Sequence, residues 1–143
     1  METTSGKTVK CVVVTPERAV LDQSVDFVAV PMYDGELGVL PGRAPLIGRL
    51  GYGELRTSTA GKTSRYFIDG GFVQVRSDVV TVLTPHAIPA TEIKLEAAEK
   101  ALQAAQAPGQ TPEAQENQFK AQERARAQIR IAHRLEGKES HHP

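Results

Sequence analysis

Histidine, cysteine and clustered glycine are the residue types in this chain that could do chemistry on their own. His86 follows Pro85, His133 lies in the last helical stretch, and His141 and His142 stand in the C-terminal tail. None has an Asp, Glu or Cys partner at the spacing a metal ion requires, so they read as surface histidines and no metal site is assigned. Cys11 is the single cysteine. It excludes an internal disulfide and a thiolate cluster, and it suits a reducing compartment. Gly48, Gly51 and Gly53 give the order GxxGxG, the reverse of the dinucleotide fingerprint, with no helix after them. There is no GxxxxGK[ST] phosphate loop, no nucleophile beside a base and no paired acid and base. The sequence therefore carries no catalytic residue and reads as a binding or structural protein rather than an enzyme.

Charge is the remaining chemical signal. Lys plus Arg equals Asp plus Glu, 17 each, so no global field draws the chain to nucleic acid or to an anionic membrane. Locally the balance breaks. Arg126, Arg130 and Arg134 recur every four residues, joined by Lys120 and Arg124 against Glu123 alone. That spacing places the three on one helix face, where like charges cost ~0.2–0.5 kcal/mol per pair. The stripe is either a solvated face or a basic surface awaiting an acidic partner. RNA is disfavoured as that partner because no aromatic residue is interleaved to stack on bases.

The elements that must position these residues fall into two classes. Six of the seven aromatic residues and ten of the twelve glycines lie before residue 91, and eleven alanines lie after it. The first part reads as strands: Val9 to Val14, Ala19 to Leu21, Val25 to Val30, Glu54 to Thr57, Arg65 to Ile68, Phe72 to Val75 and Val79 to Leu83. Ala60-Gly61-Lys62 is a hairpin tip, and Asp69-Gly70-Gly71 is a second hairpin signal. The second part reads as two helices, over about 91–107 and 112–136. Thr91 and Thr111 stand at the N-caps, Pro112 at a first helical position, and Pro108-Gly109 and Gly137 at the ends. Ile93, Ala97, Ala101, Leu102, Ala104 and Ala105 form the expected apolar stripe of the first helix, and Phe119, Ala125, Ile129 and Ala132 that of the second. Residues 1–6 read as a frayed terminus. The expected fold is mainly β plus α. Residues 1–88 form an antiparallel β-sandwich, and residues 89–143 form an antiparallel two-helix hairpin with a short tail. Alanine faces bury roughly one methyl each, about 0.8 kcal/mol, so the hairpin is either weakly held and able to detach or a tight alanine coil that stays in place.

One stretch organises the β part: Pro31 to Leu50, PMYDGELGVLPGRAPLIGRL. Asp34-Gly35 and Pro41-Gly42 are turns. Between them Glu36 to Leu40 is a short strand, with Gly38 where a side chain would obstruct a close approach. Two turns around a glycine-bearing strand describe the rim of a sandwich, not a catalytic pocket.

GELGVLPGRAPL resembles the most characteristic segment of the epsilon subunits of bacterial F-type, proton-translocating rotary ATP synthases, GELGxxPGHAPL, with Arg43 in place of the usual histidine. The resemblance extends through VVTPERAVLDQSVDFVAVP, FIDGGFVQVRSDVVTVLTPHAI and the final AQIRIA. It implies that the sandwich is flattened and of about ten strands, in a non-catalytic central-stalk subunit that couples proton flow through the c-ring to ATP synthesis. It further implies a c-ring and gamma-subunit interface over Glu36, Leu37, Gly38, Pro41, Gly42, Arg43, Ala44 and Pro45. Helices that extend along gamma would inhibit ATP hydrolysis by contacting the catalytic beta subunits, through Arg124, Arg126, Arg130 and Arg134. Family members that bind ATP do so weakly through [IL]DxxRA. The matching residues begin at Ile93 and Lys94, but lysine replaces the Asp and Ala97 the Arg, which argues against nucleotide sensing and leaves no cofactor. No apolar run reaches the ~20 residues of a membrane-spanning helix, and METTSGKTVK lacks a signal-peptide core. The expected location is peripheral, on the cytoplasmic face of the bacterial inner membrane, with no nucleic-acid partner. The competing reading is a stand-alone β-sandwich binding module with a helical oligomerisation tail.

Overall fold

A computed structural model describes residues 7–106 and 111–140, the last five by backbone alone. The frayed terminus expected over residues 1–6, the Pro108-Gly109 helix stop and the His141-His142 tail lie outside the described residues. The chain divides into two compact units, Met1–Ala87 and Ile88–Pro143, one residue before the boundary expected from sequence.

The first unit begins with β1 (Val9–Val14), β2 (Ala19–Val25), β3 (Phe27–Met32) and β4 (Gly35–Val39). It continues with β5 (Leu46–Thr59), β6 (Lys62–Arg76) and β7 (Val79–Leu83), and β8 (Ala87–Pro89) runs across its boundary with the second unit. The strands join in the order β2-β1-β7-β6-β5-β3-β4, with β8 on β6. β1 and β7 pair in parallel, Val14 opposite Leu83, and the other neighbours on that path are antiparallel. The parallel pair is possible because sixty-odd residues of crossover separate the two strands, far above the roughly a dozen such a connection needs.

Among the described residues the sheet has eight strands, against the ten or so expected. β6 is one strand where sequence cues mark two, Arg65 to Ile68 and Phe72 to Val75, and β5 extends well beyond the expected Glu54 to Thr57. The fold-over follows from burial. Val9 and Cys11 on β1, Val28 and Val30 on β3, Leu55 on β5 and Val80 on β7 share one core, which a flat sheet in this strand order could not bring together. The bend in β6 sits at Gly70 (φ 73°) and Gly71 (φ 111°). Asp69-Gly70-Gly71 is therefore a bend inside one strand, and the hairpin expected there is corrected. A Cβ on Gly71 would run into the carbonyl oxygen of Leu83, so the glycine admits β7 rather than reversing the chain.

Val25 belongs to β2 and Asp26 separates it from β3, where Val28, Ala29 and Val30 are all buried. The strand expected over Val25 to Val30 therefore starts later, at Phe27. The tip at Ala60 (φ 51°) and Gly61 (φ 81°) does form, and the Ala60 N–H donates to the Asp26 carboxylate at 2.9 Å.

In the second unit, a 3-10 turn over Ala90–Glu92 precedes α1 (Leu95–Ala104), and α2 spans Pro112–Ser140. Thr91 does not cap α1. It lies in the 3-10 turn, and extended Ile93 and Lys94 delay the helix to Leu95, consistent with the poor helix propensity of β-branched residues. Thr111 does cap α2, its hydroxyl accepting from the Ala114 N–H at 3.0 Å. α2 continues through Gly137, because one glycine among strong helix formers costs only about 1 kcal/mol. Ala98 and Ala105 are the buried alanines of the first helical segment, where Ala97, Ala101 and Ala104 are exposed. In α2 the buried residues are Ala125, Ala127, Ile131 and Ala132, while Phe119 is 60% exposed. The Gln122 amide donates to the Ala105 carbonyl at 2.8 Å, tying α2 to an otherwise open helix end.

Candidate functional site

The Pro31–Leu50 stretch is split by the fold. Glu36 on β4 pairs with Pro31 on β3, beside the Tyr33-Asp34 turn. Val39 lies three residues further along, roughly 10 Å at ~3.3 Å per residue, and only then does the chain enter the Leu40–Pro45 loop. That loop is fastened elsewhere. Gly42, at φ 88°, donates its N–H to the Asp78 carboxylate at 2.7 Å. Asp78 lies in the β6–β7 turn, and its carbonyl accepts from the Lys10 N–H at 2.8 Å. Arg43, Ala44 and Pro45 are exposed, and Pro41 is half-buried. The eight residues expected at the c-ring and gamma contacts occupy two places, Glu36 to Gly38 on β4 and Pro41 to Pro45 in the loop fastened to Asp78.

Glu36 is not a lone carboxylate. Arg56 on β5 grips it with two hydrogen bonds, Nη1 to Oε2 at 2.6 Å and Nη2 to Oε1 at 3.2 Å. The register explains the meeting, since Gly38 and Arg56 both lie opposite Ala29 on β3. Arg56 also reaches Glu54 at 3.7 Å, and Arg65 on β6 donates to the same Glu54 oxygen at 3.0 Å. Glu54 is buried, with its side chain 7% exposed, so the two guanidinium groups offset the cost of dehydrating it. The Glu36 hydrogen bond is the main cause that holds Arg56 above its ordinary pKa. Leu37 packs on the core. A Cβ at Gly38 would come within 2.9 Å of the Phe27 ring, so the close approach foreseen there is to a side chain rather than to backbone.

Three further groupings were not foreseen. The Arg49 guanidinium lies 4.7 Å over the Tyr33 ring, and the Tyr33 N–H donates to the Arg49 carbonyl at 2.8 Å. Ile47, Phe72 and Leu83 are large, apolar and exposed on neighbouring strands. The alternation of Phe72 with buried Val73 and Val75 was the available signal. His86, read as an isolated surface residue, places Nδ1 3.0 Å from the Asp69 carboxylate.

On α2, Arg126, Arg130 and Arg134 are all exposed, as a shared helix face requires. Arg126 reaches Glu123 at 3.7 Å, and Arg124 and Arg134 are engaged by other groups. Lys94 is exposed at the start of α1, and Ile93 is half-buried. Among the described residues, no three His, Cys, Asp or Glu side chains gather into a metal site. No helix there is long and apolar enough to cross a membrane.

The model of the ATP synthase delta/epsilon chain, β-sandwich domain, matches residues 8–90. The chain belongs to that family. Among curated epsilon chains it is 55% identical to the ATP synthase epsilon chain of Rhodopirellula baltica over 125 residues, 87% of this chain and 98% of the relative. It is 45% identical to that of Carboxydothermus hydrogenoformans over 97 residues, 68% of this chain and 72% of the relative. Among solved structures, it resembles a chain of the Euglena gracilis mitochondrial ATP synthase, solved as OSCP/F1/c-ring. The TM-score is 0.68 at 28% identity, covering 92% of this chain and 81% of that one. A chain in the central stalk/c-ring structure of the Tetrahymena thermophila synthase shares the fold, with TM-score 0.70 at 11% identity over 88% of this chain and 97% of that one. The family match ends at residue 90, whereas the Rhodopirellula epsilon chain also matches beyond the β-sandwich, since its 125 residues exceed it.

Proposed function

We propose that this chain is a non-catalytic rotor subunit in the central stalk of a proton-translocating F-type ATP synthase. The observation that carries this reading is 55% identity to an ATP synthase epsilon chain over 98% of that relative's length. In this reading the β-sandwich docks on the gamma subunit and the c-ring, and transmits rotation driven by proton flow to the catalytic head. The chain sits peripherally on the cytoplasmic face of the bacterial inner membrane, held there by the complex. It carries no cofactor. Lys94 and exposed Ala97 supply no guanidinium fork for a triphosphate, so ATP is not its regulator.

Regulation falls to the second unit. Its helices meet largely through small alanines, whose burial stabilises them little, which suits a hairpin that exchanges partners. When extended, α2 presents Arg124, Arg126, Arg130 and Arg134 to acidic groups on the catalytic beta subunits and restrains ATP hydrolysis. Each exposed pair contributes only ~0.2–1 kcal/mol, but several together bias a nearly balanced two-state element.

The test uses synthase-bearing membranes stripped of this subunit. Adding the full chain back should restore ATP-driven proton pumping. The R126Q/R130Q/R134Q variant should restore pumping equally while leaving hydrolysis faster than the wild-type chain does. Failure of the wild-type chain to restore pumping would refute the rotor reading. Equal hydrolysis with both chains would remove the inhibitory role of the stripe.

A further inference from the structure

Of the five aspartates in the chain, four have an engaged carboxylate. Asp22 pairs with Lys10 at 3.4 Å, Asp26 accepts from the Ala60 N–H at 2.9 Å, and Asp78 accepts from the Gly42 N–H at 2.7 Å. Asp69 meets His86 Nδ1 at 3.0 Å. Asp34 differs: it is exposed, and among the described residues no hydrogen bond or ion pair holds its carboxylate. Asp34 and Asp69 are the two aspartates followed by glycine, and the one asparagine, Asn117, is followed by Gln118.

An aspartate followed by glycine can close a five-membered ring on itself, an attack favoured because both groups belong to one short stretch of chain. The glycine nitrogen attacks the aspartate Cγ, so a C–N bond forms and a C–O bond breaks. The carboxyl hydroxyl leaves with the amide proton as water, and the product is a succinimide. Water then opens either ring carbonyl. Attack at the α-carbonyl leaves the main chain running through Cβ and Cγ, as isoaspartate, whereas attack at Cγ restores aspartate. Nothing is oxidised or reduced, and water is the one co-reactant.

We propose that Asp34 is a site of isoaspartate formation, and that the fold confines this modification to it. Asp34 and Gly35 are both exposed, and a Cβ on Gly35 would meet nothing within 4 Å, so the ring has room to close. β4 ends the strand order, and its first residue, Gly35, pairs with Met32 across the turn. Freeing the Gly35 N–H therefore takes fraying at an edge rather than opening of the core. Asp69-Gly70 has the same sequence in the opposite setting. Both residues are buried, His86 holds the carboxylate, and a Cβ on Gly70 would lie 3.5 Å from the Tyr52 ring. Ring closure there first requires release of His86 and opening of β6.

The product at position 34 lengthens the main chain by one carbon, about 1.5 Å, between two fastened points. The Tyr33 N–H is bound to the Arg49 carbonyl at 2.8 Å, and Glu36 is gripped by Arg56. The modification thus strains the Glu36–Arg56 pair from within the turn. It is independent of the rotor reading.

The folded full chain, its D34E variant and the urea-unfolded wild type, each incubated at neutral pH, test this. Glutamate keeps the charge at an exposed position but has to close a six-membered ring, which is slower. Isoaspartate is read as methyl transfer from S-adenosylmethionine by protein isoaspartate methyltransferase, and is located by fragmenting the labelled peptides. In the folded chain, position 34 should carry ~10-fold or more of the isoaspartate found at position 69, since releasing a hydrogen bond to a charged group costs at least that factor. D34E should lose the signal, and the unfolded chain should label at both sites to similar extents. Equal labelling of the two sites in the folded chain would overturn the proposal, as would labelling at position 34 only after unfolding. Amide hydrogen exchange over β4 should be faster in the modified fraction than in fresh chain, and equal exchange would overturn the strain on Glu36 and Arg56.

Discussion

His86 Nδ1 lies 3.0 Å from the carboxylate of Asp69, whose side chain is 4% exposed while that of His86 is 69% exposed. The same two residues are joined through the backbone, since the Asp69 N–H donates to the His86 carbonyl at 3.2 Å. That carbonyl also accepts from the Thr84 hydroxyl at 3.1 Å. His86 thus clasps the segment after β7 to β6 beside its glycine bend. Asp69 has a further interaction, so the two ends of the clasp are unequal. H86A should lower stability by about 0.5–1.5 kcal/mol, the usual net worth of a hydrogen bond. D69A should cost more, because it removes a buried carboxylate that makes a further interaction besides the one with His86. Thermal denaturation of both variants checks the order, and a larger loss in H86A would contradict it.

The Glu36–Arg56–Glu54–Arg65 row makes a similar ordering testable. Glu36 is half exposed, and E36A should cost no more than about 1 kcal/mol. R56A leaves buried Glu54 with less compensating charge and should cost about 1–3 kcal/mol. Urea denaturation of the two single variants measures this. Equal losses would mean that Arg56 serves Glu36 alone.

Gly71 and Gly61 both have positive φ, but a Cβ would strike the Leu83 backbone at Gly71 and nothing within 4 Å at Gly61. G61A should therefore cost about 1 kcal/mol from backbone conformation alone, and G71A should exceed it by about 2 kcal/mol or more. Comparable melting temperatures would indicate that β7 can shift away from the bend.

Burial pushes the Cys11 thiol up to about 12. The native thiol should remain protonated, and inert to iodoacetamide, at pH 8–9, where an exposed cysteine reacts. Because the folded value is raised, the stability it confers is complete below the unfolded value and declines as pH rises from there towards 12. Rapid alkylation of the native chain at pH 8.5 would show that β1 opens readily.

Local chemistry was legible where it decides structure within a few residues. VKCVVV and VVTVL are strands, Ala60-Gly61 is a tip, and Thr111-Pro112 opens a helix. Features set by distant partners were not. Asp69-Gly70-Gly71 has the composition of a hairpin, and only the approach of Leu83 makes it a bend. Glu36 looked free because Arg56 lies twenty residues on, reached through register with β3. Phe119 counted as apolar core, yet the buried side of α2 runs through Ala125 and Ala132 instead, since a single aromatic does not define a helix phase. The motif that pointed to the family lies in β4 and the loop after it, which the fold fastens at two separate places.

A subunit of an ATP synthase must be recovered with the rest of that complex. The most direct test is to tag the chain at its chromosomal position, solubilise the membranes gently and identify what co-purifies by mass spectrometry. The account predicts gamma, the catalytic subunits and the c-subunit in fixed proportion, with one copy of this chain per gamma. Recovery of the chain alone, or as an oligomer of itself, from membranes that still yield an intact synthase would contradict it.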